Sequence, residues 1–260
     1  MPPKKKTYKK AERDTSWGKV ADWYGEHVES KDSYHQNVVL PNLVRVLNLT
    51  KNDTVLDLAC GEGFFAREFI KSAKRVVGAD ISRELIEQAT QKDKKGVYHV
   101  APANKLSFAK DGEFSVVACV LALQNIEDLA GTFKEVARVL APKGKMVMVL
   151  NHPTFRVLKR SSWGWDEATQ TQYRRVDGYL SGAKVFVDMA PGSAKTVRTI
   201  SYHRSLQDFV KVLSGAGFAV TKLEEWISHK ASGKGPRQAA EDRARKEIPL
   251  FMLLEAKRLD

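Results

Sequence analysis

The chain has 260 residues, 43% of them hydrophobic and 28% charged, and a formal net charge of +12. That length and apolar content suffice to bury a full core in one large domain. No run of eighteen apolar residues offers a membrane span, and Cys60 and Cys119 are too few and too widely spaced for a disulfide framework or a zinc site, so a cytoplasmic protein with reduced thiols is expected.

Residues 1–14 begin "MPPKKKTYKK", in which Lys4, Lys5, Lys6, Lys9 and Lys10 read as a disordered basic tail. Such an arm either solvates the chain or grips a polyanion such as RNA. "TSWGKVADWYGEHV" sets Trp17, Val20, Ala21 and Tyr24 at helical spacing behind Ser16 as N-cap. "QNVVLPNLVRVLNL" predicts a second helix with a kink or fresh start at Pro41, and residues 15–50 together are expected to form a helical lid.

A regular alternation follows. "TVLDLA" (54–59) is a strand, "FFAREFIKSA" a helix, "RVVGADI" (75–81) a strand, "SRELIEQATQK" a helix capped by Ser82, and "GVYHVAP" a strand. The nearly all-apolar "FSVVACVLAL" (114–123) reads as a buried central strand, "LAGTFKEVARVLAPKG" as a helix stopped by Pro142 and Gly144, and "KMVMVL" (145–150) as the fifth strand. Strands and helices in this order predict a doubly wound α/β sheet, with its ligand at the carboxyl ends of the strands where the strand order reverses.

Past Leu150 the rhythm breaks. Short alternating runs at 173–180, 184–189 and 195–203 predict an antiparallel cap inserted over 152–204. The α/β pattern then resumes with a helix at "SLQDFVKVLSGAG", a strand at "FAVTKLEEW", a polar stretch (228–248) forming a loop and a short charged helix, and a last strand at "PLFMLLEAK".

The first strand leads into "CGEGFFA", in which Gly61, Gly63 and Ala66 satisfy G-x-G-x-x-A. The glycines permit a tight turn and a close approach of ligand to backbone. Asp57 lies four residues before Gly61, and a carboxylate so near the turn repels a pyrophosphate but suits a ligand with an ammonium or sulfonium group. S-adenosylmethionine is therefore favoured over a dinucleotide. Asp80 ends the second strand about twenty residues beyond the glycines, where a carboxylate accepts ribose hydroxyls of an adenosyl ligand.

Through "VLDLACGEG", "VVGADIS", "FSVVACVLALQNIED" and "FKEVARVLAPKGKMVMVLNHP" the sequence resembles the class I S-adenosylmethionine-dependent methyltransferases, in particular the domain shared with ubiquinone-biosynthesis and related small-molecule enzymes. The resemblance implies a Rossmann-like, mostly parallel seven-stranded sheet. It also implies that Asp57, Ala59, Gly61 and Gly63 line the methionine part of the cofactor, that Asp80 binds the ribose, that Ile81 packs on adenine, and that Leu121 and Gln124 lie near the sulfonium. The sequence departs from the family after the third strand, where "VAPANKLSF" puts Pro102 in the place of an acid that commonly meets the adenine amino group. Adenine recognition would then fall to Ala103 or Asn104.

For the acceptor, His152 just past the fifth strand is the candidate general base, since imidazole titrates near neutral pH. Tyr24, Tyr34 and His35 are candidates from the lid. In the cap, Phe155, Trp163, Trp165 and Tyr173 are candidates for an apolar wall, and Arg174, Arg175 or His203 for fixing a polar group; Arg156, Arg174, Arg175, Arg198 and Arg204 give the cap a basic face. A small organic acceptor is expected. The rival readings are an RNA or protein methyltransferase using the basic tail and cap, an NAD-dependent oxidoreductase, and a non-catalytic S-adenosylmethionine-binding partner subunit.

Overall fold

The computed structural model describes residues 17–189 and 197–259. The basic tail, and Ser16 as a helix cap, fall outside the described residues, and so does the side chain of Tyr24. A 3-10 turn (Gly18–Val20) leads into α1 (Ala21–Glu29), and a π-helical stretch (His35–Val39) into α2 (Leu40–Leu47), with Pro41 in the first turn of α2. Proline is tolerated there because the first helical N–H groups have no intrahelical partner.

The alternation then runs β1 (Thr54–Leu58), α3 (Phe64–Phe69), β2 (Arg75–Asp80), α4 (Arg83–Lys92), β3 (Val97–Val100), β4 (Phe114–Val120), α5 (Leu129–Val139) and β5 (Leu140–Asn151). Ser82 caps α4 as expected, its hydroxyl accepting the Leu85 N–H at 3.3 Å. The helix before β5 ends earlier than Pro142: a residue preceding proline is pushed out of the helical region, so Ala141 cannot continue α5, and Lys143 takes a left-handed φ of 60°. Pairing between β4 and β5 consequently shifts register between Phe114 and Val116.

Six more strands and two helices follow: β6 (Ser161–Asp166), β7 (Thr171–Val176), β8 (Ala183–Met189), β9 (Val197–His203), α6 (Leu206–Gly215), β10 (Phe218–Trp226), α7 (Gln238–Glu247) and β11 (Phe251–Arg258). The main sheet has seven strands in the order β10-β11-β5-β4-β1-β2-β3, parallel from β3 to β5, with β11 antiparallel to both its neighbours. Strand order reverses between β1 and β4, which opens a crevice at their carboxyl ends.

Alternation along the strands sends side chains to two cores. Leu56, Leu58, Val117, Cys119, Met146 and Met148 pack beneath α5 and α6 with Phe133 and Phe209. Val55, Val116, Ala118, Val147 and Val149 pack beneath α1–α3 with Val28, Leu43, Phe65 and Phe69. Period two places Asp57 on the second of these faces, beside Val55, and that is why the acid is buried.

The region after β5 forms two separate antiparallel hairpins, β6–β7 and β8–β9. The strand in "SSWGWD" escaped the reading of alternation because serine and glycine carry no hydrophobic signal. Among the described residues no helix is long and apolar enough to cross a membrane.

Candidate active site

The turn after β1 is built from backbone that most side chains avoid. Ala59, Gly61 and Gly63 have φ of 56°, 57° and 80°, and a Cβ on Gly63 would lie 3.0 Å from the Tyr98 hydroxyl and 3.2 Å from the Ala89 methyl. At the end of β4, Leu121 also adopts a left-handed φ of 53°. Non-glycine residues in this region carry about 1–3 kcal/mol of strain and cluster at functional sites; here two of them, Ala59 and Leu121, flank the crevice of the switch point.

Asp80 ties the turn to β2. Its Oδ2 accepts the Gly61 N–H at 3.0 Å and its Oδ1 accepts the Ser82 N–H at 2.8 Å. Burial raises its pKa, and the N–H groups of Ser82 and Gly61 oppose that rise. Asp57, 1% exposed, is more deeply desolvated: burial pushes its carboxyl up to about 7, and its Oδ2 has no hydrogen-bond partner among the described residues. Glu62, also buried, is neutralised by Arg67 and Lys92 at 3.0 and 2.8 Å. Both cations also reach Glu29 at 3.0 Å, which fastens the end of α1 to the turn.

Two adjoining concavities lie beside this turn. The larger is walled by Trp17, Ile81, Leu85, Leu121 and Ile126, with Asp80 and Gly61 at its floor. The smaller contains Asp57, Glu62 and Phe65 and shares Ala59 and Val120 with the first. Apolar walls suit a base, Asp80 suits ribose hydroxyls, and the orphaned Asp57 oxygen suits an ammonium.

A third cleft of about 280 Å³ opens beside the first and shares Trp17, Leu121 and Asn125 with it. Its walls come from Trp23, Tyr34, His35, Gln124, Asn151, Arg156, Leu158, Phe251 and the β8–β9 hairpin through Val187, Met189, Thr199 and Ser201. Arg204 holds this region together, donating to the backbone carbonyls of Leu123, Ile126 and Glu127 at 3.3, 2.7 and 2.7 Å.

Several expected site residues lie elsewhere. Asn104 donates to Asp128 Oδ2 at 2.7 Å and faces a separate depression beside α5, and Ala103 packs against the core beneath α5; neither lines the adenosyl concavity. Gln124 lines the third cleft instead of the first.

The first hairpin is turned away from both clefts, because α7 packs against β7. The Arg237 guanidinium covers Trp165 at 4.5 Å and Arg174 covers Trp163 at 5.1 Å. Tyr173 is exposed, and Arg175 pairs with Asp177 at 2.9 Å. Phe155 packs on the His152 ring, and His203 bonds the Tyr179 carbonyl at 2.7 Å and borders a smaller depression.

His152 is likewise committed to structure. Its Nδ1 accepts the N–H groups of Thr154 and Phe155, both at 3.3 Å, so Nε2 carries the proton and donates to Glu225 Oε1 at 2.7 Å. Both ring nitrogens are occupied, and burial lowers the pKa. His152→Ala should therefore cost about 1–2 kcal/mol of stability and leave the pH profile of the reaction unchanged; a lost acidic limb in the mutant would return the histidine to the chemistry.

What the sequence reading missed is the second wall. Asn125 and Ile126 follow β4, Asn151 ends β5, and Val187, Met189, Thr199 and Ser201 alternate along β8 and β9. Period two in these strands was the available signal, but it does not say which hairpin faces the cleft.

A small-residue turn beside a buried acid with one orphaned oxygen, at the switch point of this sheet, has the chemistry to suit a cationic adenosyl compound. A methyltransferase-domain family model matches residues 56–148. The chain is 32% identical over 177 residues to a ubiquinone/menaquinone biosynthesis C-methyltransferase UbiE of Desulfotalea psychrophila, covering 66% of this chain and 68% of that one. It is 27% identical to a demethylmenaquinone methyltransferase of Chlorobaculum parvum, covering 72% and 74%. An S-adenosylmethionine-dependent methyltransferase structure from Mesorhizobium loti aligns with a TM-score of 0.67 at 27% identity, over 84% of this chain and 96% of that one. The chain belongs to the class I S-adenosylmethionine-dependent methyltransferases. That membership removes the NAD-dependent oxidoreductase from the readings of the glycine turn.

Proposed function

We propose that the protein methylates a small organic acceptor held in the cleft between the end of β4 and the β8–β9 hairpin. The observation that carries this reading is the continuity of that cleft with the adenosyl concavity through Trp17, Leu121 and Asn125. The relatives named for ubiquinone/menaquinone biosynthesis and for demethylmenaquinone agree with a small acceptor.

Asp57, Asp80, Gly61 and Ile81 would hold S-adenosylmethionine, which supplies an electrophilic sulfonium methyl. The remaining work of the chain is positioning and exclusion of water. Trp17, Leu121 and Asn125 border the junction across which the acceptor atom must face the methyl. Aromatic and aliphatic walls at Trp23, Phe251, Val187 and Met189 displace water from the acceptor. Tyr34 and His35 bring hydroxyl and imidazole groups to the described lining of this cleft; the Tyr34 hydroxyl lies 3.2 Å from Ser228 Oγ.

The test is a transfer assay with methyl-labelled S-adenosylmethionine and a cell extract, read separately in the small-molecule and the precipitable RNA and protein fractions. Label is expected among small molecules, and Val187→Trp, which fills the cleft, should abolish that transfer while S-adenosylhomocysteine still binds. Label confined to RNA or protein would overturn the reading.

A further inference from the structure

The acceptor cleft contains one charged side chain among its described lining residues, the guanidinium of Arg156, and no carboxylate. Arg156 follows β5 in a turn fixed from three sides. Its own N–H donates to the His152 carbonyl at 2.9 Å; the His152 ring takes the N–H groups of Thr154 and Phe155 and anchors to Glu225; and Val157 next to it is buried. The backbone that carries the guanidinium is therefore preorganised.

Other arginines nearby have partners. Arg174 donates to the Phe155 carbonyl and Ser161 Oγ at 2.8 and 2.7 Å, and Arg204 to three carbonyls. Among the described residues, the Arg156 side chain makes no hydrogen bond or ion pair, and the Tyr34 phenol is near enough to favour its charge. The Arg156 side chain is exposed to solvent at the cleft, and desolvation by the neighbouring wall lowers its pKa from the usual arginine value. Arg174, outside the cleft lining, has its pKa lowered by desolvation and then by the Arg156 charge, so the positive charge that faces the cleft is that of Arg156. A guanidinium on a cleft wall that offers it no carboxylate is available to a ligand anion, and its planar fork matches an oxyanion bidentately.

The rest of the wall is neutral. Phe251, Val187, Met189 and Leu158 are apolar, and Thr199 and Ser201 offer single hydroxyls. We infer that the acceptor is a small molecule with an apolar body and an oxyanion, a carboxylate or a phosphate, which Arg156 binds while the apolar body lies against Phe251, Val187 and Met189. This inference rests on the reading of the cleft as the acceptor pocket. An anion there also complements the positive sulfonium across the Leu121 junction, whereas an ammonium-bearing acceptor would meet two cations.

The experiment is calorimetric titration of the full-length protein, saturated with S-adenosylhomocysteine, with 2-naphthoate, with the neutral 2-naphthamide and with 2-naphthyl phosphate. At least one anion is expected to bind tenfold or more tightly than the amide, and the stronger of the two identifies the oxyanion. Arg156→Gln should erase the difference while S-adenosylhomocysteine affinity is kept, and Arg156→Lys should restore part of it. Equal binding of acid and amide, no anion binding, an Arg156→Gln protein that still prefers the anion, or competition between naphthoate and S-adenosylhomocysteine would each overturn the inference. Failure of S-adenosylhomocysteine itself to bind would instead overturn the reading of the adenosyl site, so the two failures are distinct.

Discussion

Between pH 7.5 and pH 5.5, affinity for S-adenosylhomocysteine should fall about tenfold to thirtyfold, and Asp57→Asn should abolish most of that dependence. Burial raises the Asp57 carboxyl to about 7 in the ligand-free protein. If the ligand ammonium binds only the carboxylate form, each unit of pH below 7 costs roughly a factor of ten. S-adenosylhomocysteine is the better probe than the sulfonium, because its ammonium is then the only cation in play.

The same residue makes a prediction about stability, with the opposite sign. A raised folded-state pKa means that the folded protein holds the proton more tightly than the unfolded chain. The cost of the buried carboxylate is therefore absent below pH 4, grows as the pH rises, and is complete above about 7. Asn at 57 keeps a carbonyl oxygen for the Ala66 N–H, the backbone donor that favours the carboxylate. Asp57→Asn should thus stabilise the ligand-free protein by about 2–4 kcal/mol at pH 8 and by little at pH 4. Thermal unfolding at the two pH values, with calorimetry for binding, measures both effects. Unchanged affinity across the pH range would remove Asp57 from the ammonium site.

Asp80→Ala should weaken S-adenosylhomocysteine binding by about tenfold to a hundredfold and lower stability by about 2 kcal/mol. The carboxylate receives the N–H groups of Gly61 and Ser82 from two different connections, and stranding a buried donor costs about 1–3 kcal/mol. Losing the first bond frees a turn already held in left-handed backbone at Gly61 and Gly63; losing the second loosens the start of α4 next to Ile81. Asp80→Asn retains one acceptor oxygen and should fall between wild type and Asp80→Ala in both measurements. Binding within twofold of wild type for Asp80→Ala would show that the turn keeps its shape without the acid.

The parts of the site that lie within one strand–turn–helix unit were legible in the residues alone. Asp57, Ala59, Gly61 and Gly63 lie within seven residues, at the end of β1 and in the turn after it, and Asp80 ends the neighbouring strand, so local geometry and a parallel pairing suffice to bring them together. The acceptor side was less legible. His152 follows a strand end as a catalytic base would, yet Glu225 from β10, more than seventy residues away in sequence, takes its ring. Asn104 sits in the connection after β3, yet Asp128 at the cap of α5 draws its amide aside.

What the sequence determined by itself is the parallel α/β sheet, its switch point and the small-residue turn beside Asp57, because hydrophobic period, helix caps and glycine positions act over a few residues and agree with one another. Which hairpin walls the acceptor cleft was decided only by tertiary packing. The β6–β7 and β8–β9 hairpins carry similar mixtures of aromatic, aliphatic and basic residues. The first is drawn off by α7 and the Arg237 contact with Trp165, and the second is held over the cleft by the bonds of Arg204 to the β4 connection. Those contacts join residues roughly seventy to eighty positions apart, and their choice depends on which surfaces remain uncovered once the sheet has formed, a property that no local pattern encodes.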